Sequence, residues 1–250
     1  MEGLVTRLID LIRRSVPPRI AARIDALRPG LAEGFGPFNG QRHRQAILRS
    51  VLRSCKFDLV IEAGTYRGTT TEYLRGLTPA PIITIEVSER FYHYARRRLS
   101  KLADVRIIHG DSPMVIRRIA SRPSHDPHAQ VFAYLDAHWG RNLPTRFEIL
   151  ELLSGWESVC MVIDDFKVPG DPGYGYDDYG RGFAVDTALL SGLPLANVSM
   201  FLPRIASSEE TGNRRGWVVL ARGDGLIEQL SQTDGLVLER QWAEPVATST

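Results

Sequence analysis

The sequence predicts an α/β fold, a doubly wound and mostly parallel sheet with helices on both faces. Three observations predict it. Short apolar runs recur along the chain and alternate with stretches of helical length and pattern. The runs are continuous rather than alternating, as in strands buried on both faces. The chain is also large enough, at 250 residues with 43% hydrophobic content, to enclose a full core around such a sheet.

The elements follow in order. Before Phe57 the chain reads as helical, with a break at "PGLAEGFGPFNG". Residues 1–40 are expected to form a helical extension or cap over the mouth of the sheet, and residues 41–250 the main domain. "DLVIEAG" is the first strand, ending in Gly64, and a helical pattern runs on through Tyr73 and Leu77. "IITIEV", "VRIIHG", "VFAYLDA" and "VCMVIDDF" are the next four strands, separated by "ERFYHYARRRLSKL", "SPMVIRRIA" and "LPTRFEILELLSGW". "VSMFLPRI" and "GWVVLAR" supply two more, for seven in all. After the fifth strand comes "KVPGDPGYGYDDYGRG", with five glycines, two prolines and three tyrosines, which is long for a plain connection and suits an active-site loop.

Composition narrows the function. With 31 basic and 29 acidic residues the net charge is +2, which gives no reason to expect nucleic acid as the main partner. Cys55 and Cys160 have neither metal-site spacing nor a disulfide framework, so a reducing cytoplasm is expected. The N-terminus is broken by acids and arginines and does not read as a secretory signal. No stretch approaches the roughly 20 apolar residues that span a bilayer. Leu4, Leu8, Leu11 and Ile12 share one helical face, which fits packing on the chain's own domain or on a second subunit, hence a possible homo-oligomer.

The chemistry concentrates at the strand ends. In "IEAGTYRGTTTEYL" two glycines flank a tight strand-to-helix turn, where the backbone can approach a ligand closely. The spacing is G-x-x-x-G, neither the dinucleotide fingerprint nor a phosphate loop. Glu86 closes the second strand, 22 residues after Gly64, where an acid can accept both hydroxyls of a ribose. Asp111 and Ser112 follow the third strand, in position to read an adenine amino group, and Glu62 ends the first, where it can hold a charged amino-acid moiety. Three successive strand ends carrying polar groups mark the crevice in which open parallel sheets bind ligands.

On "VIEAGTYRG", "IEV", "HGDS" and "YLDAHW" the chain resembles the class I S-adenosylmethionine-dependent methyltransferases, from about Phe57 to Ala221. The resemblance implies a Rossmann-like seven-stranded sheet whose final antiparallel strand is "GWVVLAR". It places Glu62, Gly64, Thr65, Tyr66, Gly68 and Thr69 at the methionine end of S-adenosylmethionine, and Glu86 with Val87 at the ribose. Asp111 and Ser112 then flank the adenine, Asp136 borders the cofactor, and Asn39 and Gln41 in "GPFNGQR" cover it.

Asp136 closes the fourth strand, and Asp164 and Asp165 the fifth. Three carboxylates at neighbouring strand ends either keep a proton or hold a cation, and oxygen ligands favour Mg²⁺ or a similar divalent ion. "YLDAHW", "LPTRFEILELL" and "VIDDF" together are similar to the metal-dependent O-methyltransferases, among them the catechol and macrolide-sugar enzymes and the cephalosporin hydroxylase-like proteins. That resemblance implies Asp136, Asp164 and Asp165 as metal ligands. It also expects a basic residue three positions after the first ligand, where this chain has Trp139; His138 stands one place earlier. His138, with Asp136, is the candidate catalytic pair, and Lys167 the alternative base. Trp139, Tyr174, Tyr176 and Tyr179 suit an aromatic wall for an acceptor. The expected activity is methylation of a small-molecule hydroxyl, a natural-product sugar or polyketide by the resemblance. The alternatives are a metal-free N-methyltransferase of the same fold and an inactive cofactor-binding subunit.

Overall fold

The computed structural model describes residues 15–27, 36–140, 142–180 and 182–239. The apolar helical face at Leu4 to Ile12 lies outside them. Helix α1 (Pro18–Ala26) is followed by a 3₁₀ turn (Pro37–Gly40) and α2 (Arg42–Ser54). Strand and helix then alternate through β1 (Leu59–Ala63), α3 (Thr69–Arg75), β2 (Ile82–Glu86), α4 (Glu89–Arg98), β3 (Val105–His109) and α5 (Ser112–Ala120). They continue with β4 (Gln130–Leu135), α6 (Thr145–Gly155) and β5 (Ser158–Asp164). After the glycine-rich loop come β6 (Val198–Pro203), β7 (Trp217–Arg222), α7 (Asp224–Ser231) and β8 (Leu236–Glu239).

The strands form one eight-stranded sheet in the order β3-β2-β1-β4-β5-β7-β6-β8. The first five are parallel, and β7 inserts antiparallel between β5 and β6. The expected antiparallel strand is therefore present, and the sheet has one strand more than the sequence suggested. β8 is a four-residue edge that pairs antiparallel with β6.

Successive strand residues point to opposite faces, so each strand feeds two cores. Ile61, Ala133 and Met161 pack under Ile116 of α5 and Leu152 of α6. Val60, Phe132 and Val162 pack under Leu48 and Val51 of α2 and Leu230 of α7. All of these are essentially inaccessible to water, and burial of one such side chain contributes about 1.5–3 kcal/mol. This double burial explains the unbroken apolar runs.

Two long-range devices fix what precedes the sheet. The buried Glu210 accepts the backbone N–H groups of His43 and Arg44 at 3.2 and 3.1 Å, and Thr211 Oγ1 accepts that of Arg42 at 2.9 Å. The first turn of α2 is thus capped by acceptors from the β6–β7 connection. Helix α1 lies on α4, where the Arg90 guanidinium grips Asp25 at 2.7 and 2.9 Å and Ala22 meets Tyr94. No helix among the described residues is long and apolar enough to cross a membrane.

Candidate active site

The strand ends expected to converge do so along the C-terminal edge of the parallel sheet. Parallel register places Asp136 beside Asp164, one step beyond the Leu135–Ile163 pair. The glycine turn after β1 lies against the exit of β4. The Asp136 N–H donates to the Ala63 carbonyl at 2.9 Å. Gly64 has φ +93°, and a Cβ there would sit 2.1 Å from the Asp136 carbonyl oxygen, so only glycine fits. Gly68, at φ +78°, starts α3 close against Leu99.

The first half of the edge is organised by local hydrogen bonds. Glu86 is buried, and its two oxygens accept the N–H groups of Tyr66 at 2.7 Å and Ser88 at 2.8 Å. Each oxygen keeps a lone pair for a further donor. Glu62 lies beneath the turn with no exposure, accepting from the Thr71 hydroxyl and, at 2.6 Å, from Thr84. Thr84 has one proton and gives it to Glu62, so Thr65 is the donor in the 2.5 Å contact between the two threonines. Burial pushes the Glu62 carboxyl up to about 7, against the pull of the two threonines. Ser112, at the start of α5, donates to the buried Glu148, while Asp111 stays exposed. Tyr66 and Val87 are also exposed at the mouth, and Thr69 Oγ1 accepts from Arg98 at 3.4 Å.

The second half is organised by charge. Asp136 is half-buried, and burial together with the charge of Asp164 holds its carboxyl well above the usual range. His138 is buried, and neither ring nitrogen has a hydrogen-bond partner among the described residues. Burial alone would favour the neutral ring, but Asp165, then Asp136 and Asp164, outweigh it and raise the imidazole to about 9. Asp136, His138 and Asp165 offer ligand atoms that all lie within 4.8 Å of one another.

Asp164, expected among the metal ligands, lies outside that group. Its carboxylate accepts Arg44 Nη1 at 2.6 Å, the Tyr134 hydroxyl and Asn39 Nδ2 at 3.3 Å. Burial by itself would raise its pKa, but Arg44 outweighs this and holds it low. Arg44 is itself fully buried, boxed by the rings of Phe38, Tyr134 and Trp217. Asn39 and Gln41, expected to cover a cofactor, brace this ion pair; the Gln41 Oε1 accepts from Arg44 at 3.4 Å. Lys167 is exposed, with its ammonium over the Tyr176 ring.

Two site residues were missed from the sequence. Asp177 sits in the glycine-rich loop and Arg215 in the turn before β7. Arg215 Nε donates to Asp165 at 2.5 Å and its Nη2 to Asp177, and the Tyr179 hydroxyl also donates to Asp177. The acids in "GYDDYG" were the available signal, but nothing local links them to an arginine near position 215. Of the expected aromatic wall, Trp139 is 85% exposed at the mouth, whereas Tyr174 is buried and donates to the Ile205 carbonyl.

No protein-family model and no curated protein matches the chain. Solved structures do. An O-methyltransferase from Bacillus cereus, in complex with SAH, aligns with a TM-score of 0.52 at 20% identity, over 72% of this chain and 81% of that one. The cofactor-bound Rv0187 from MTB aligns with a TM-score of 0.50 at 17% identity, over 72% and 79%. At such identities the likeness establishes the fold, the Rossmann-like, mostly parallel α/β sheet that these structures share.

Proposed function

We propose that the chain is an S-adenosylmethionine-dependent O-methyltransferase that acts on a hydroxyl of a small molecule, with help from a divalent ion. One observation carries the reading. The glycine turn and the exit of β4 are in backbone contact at Gly64 and Asp136, so a ligand on the turn and a group at His138 would be neighbours. Glu86 is the candidate ribose acid, with Val87 beside it. Glu62, Thr65, Tyr66 and Thr69 are candidates for the methionine end, and Asp111 and Ser112 for the adenine. Asn39 and Gln41, which brace the Arg44–Asp164 pair, are the candidates for covering the cofactor.

S-adenosylmethionine supplies, when bound, a methyl group already activated on sulfonium. The chain's task is then alignment and proton removal, and alignment can lower a barrier by roughly 7–11 kcal/mol in favourable models. Glu62, Thr65, Tyr66 and Glu86 would hold the cofactor, which would supply its methyl group to the acceptor oxygen and keep the carbon–sulfur electron pair, and His138 Nε2 would take the hydroxyl proton. His138 must shed its own proton first, and any positive charge arriving among the carboxylates favours that.

The donor set fits a divalent ion. Two carboxylates and an orphaned imidazole lie within one coordination sphere's reach. Asp136 and Asp165 suit Mg²⁺ and leave His138 free as the base; His138 as a third ligand would shift preference toward Mn²⁺ and give up that role. Such an ion, when bound, would lower the pKa of an acceptor hydroxyl. The arginines on Asp164 and Asp165 favour a second reading, in which the same transfer runs without an ion. The acceptor as a natural-product sugar or polyketide rests on the resemblance. A cytoplasmic setting rests on the sequence, together with two buried free cysteines.

Calorimetry with S-adenosylhomocysteine and turnover on a panel of hydroxyl acceptors test this. Glu86→Ala should weaken cofactor affinity at least about tenfold, and Asp136→Ala should abolish turnover while cofactor binding persists. Wild-type turnover in Asp136→Ala would refute the reading, and full activity in a chelator would select the ion-free form.

A further inference from the structure

Arg215 closes a ring of charge at the acceptor side. Its fork holds Oδ1 of Asp165 and Oδ1 of Asp177. The other oxygen of each acid, Oδ2, lies 3.6 Å from His138 Nε2. That imidazole is 1% exposed and makes no hydrogen bond among the described residues, so Nε2 lies between the two carboxylates with both as charge partners and neither at hydrogen-bond distance. Backbone bonds lock the arrangement. The Asp177 N–H donates to the Asp165 carbonyl at 3.0 Å, and Gly175 exchanges bonds with Arg214 and Gly216 at 2.8 and 2.7 Å. The glycine-rich loop is therefore stitched both to the end of β5 and to the turn that carries Arg215.

From this geometry we propose that Asp177 belongs to the ion-binding set and that Arg215 is its built-in counter-cation, competing with a divalent ion for Asp165 and Asp177. The inference rests on the divalent-ion reading above. The guanidinium occupies one oxygen of each acid, and its charge opposes a second cation beside the remaining oxygens. An ion can then bind well only as Arg215 yields, which ties occupancy of the site to the position of the loop. A guanidinium that merely holds the loop in place would have the opposite effect, because its loss would scatter the ligands.

The experiment is Mn²⁺ binding to the full chain, followed by calorimetry and by the electron paramagnetic resonance signal of free Mn²⁺, with circular dichroism as the check on folding. Arg215→Met should tighten Mn²⁺ by about tenfold or more, and Arg215→Lys, which keeps the charge, should stay within about threefold of wild type. Asp177→Asn should weaken it by about tenfold or more, since a donor is lost and the guanidinium turns wholly to Asp165. Weaker or unchanged binding in Arg215→Met overturns the proposal, as does an unchanged Asp177→Asn. If Arg215→Met does not fold, Arg215→Gln takes its place, and the Asp177→Asn result decides independently. Loss of Mn²⁺ binding in Asp136→Asn shows that the ion reading itself holds. Absence of Mn²⁺ binding in every variant, with S-adenosylhomocysteine still bound, removes the ion and this proposal together but leaves the methyl-transfer reading standing.

Discussion

The two halves of the sheet's C-terminal edge reach order by different means. Around β1 to β3 the acids take neutral donors from the same half of the edge, with one Glu62 oxygen left over. Glu86 takes N–H groups from Tyr66 and Ser88, and Glu62 takes hydroxyls from Thr71 and Thr84. Around β4 and β5 the partners are remote. Asp164 is held by an arginine 120 positions earlier, and Asp165 by one 50 positions later. The first half is built by short turns and neutral donors, the second by opposite charges from distant segments. A site of the first kind tolerates changes elsewhere in the chain. A site of the second kind fails when one distant residue changes, because a buried charge is left alone.

The largest effect should come from breaking the buried pair. Arg44→Met removes the cation from a fully buried site and leaves Asp164 with only neutral donors. Chemical denaturation should show a loss of about 3–5 kcal/mol. The double variant Arg44→Met/Asp164→Asn should recover much of it, since neither charge then remains. A single variant as stable as wild type would erase the distinction between the halves.

The same distinction explains what could be read in the sequence. Strands β1 to β5 were legible because burial on both faces leaves an unbroken apolar run, and their terminal acids stand at the ends of those runs. Gly64 was legible because a tight turn against another backbone requires its missing side chain. The partners of Asp164 and Asp165 were not. In "RHRQAILRS" nothing sets Arg44 apart from the neighbouring arginines, and only the fold turns it inward beneath Tyr134 and Trp217. Asp177 and Arg215 sit in segments rich in glycine and charge, where sequence spacing says nothing of which acid meets which base. The extra strand β8 was missed because four residues with two exposed members carry almost no pattern.

A middle-sized effect should appear in the first half as a pH dependence. Glu62 has its pKa raised from 4.5 to about 7, so the folded state holds a proton that the unfolded chain releases. Its burial is free of penalty below about pH 4.5, and stability falls as pH rises from there to about 7. One pKa unit corresponds to about 1.4 kcal/mol, so Glu62 accounts for at most about 3.5 kcal/mol across that window. Glu148, also raised to about 7, adds a similar slope. Glu62→Gln should therefore flatten the stability profile between pH 4.5 and 7 by about half of what these two groups supply. An unaltered profile would mean that Glu62 is not buried as an acid.

The smallest effect tests whether the threonine relay tunes that acid. Thr84 donates to Glu62 and receives from Thr65, so Thr84→Val removes one donor from the carboxylate and leaves the Thr65 hydroxyl without its acceptor. A neutral hydrogen bond contributes about 0.5–1.5 kcal/mol, and one to an ionised group roughly twice that. Below pH 4.5, where Glu62 is protonated, the variant should lose about 1 kcal/mol. Above pH 7 the loss should grow, because the deleted bond favoured the charged form. The Glu62 titration should then move upward from about 7, the direction in which burial drives it and against which the threonines now act. A titration that moves downward would place the Thr84 proton elsewhere and break the local order ascribed to this half of the edge.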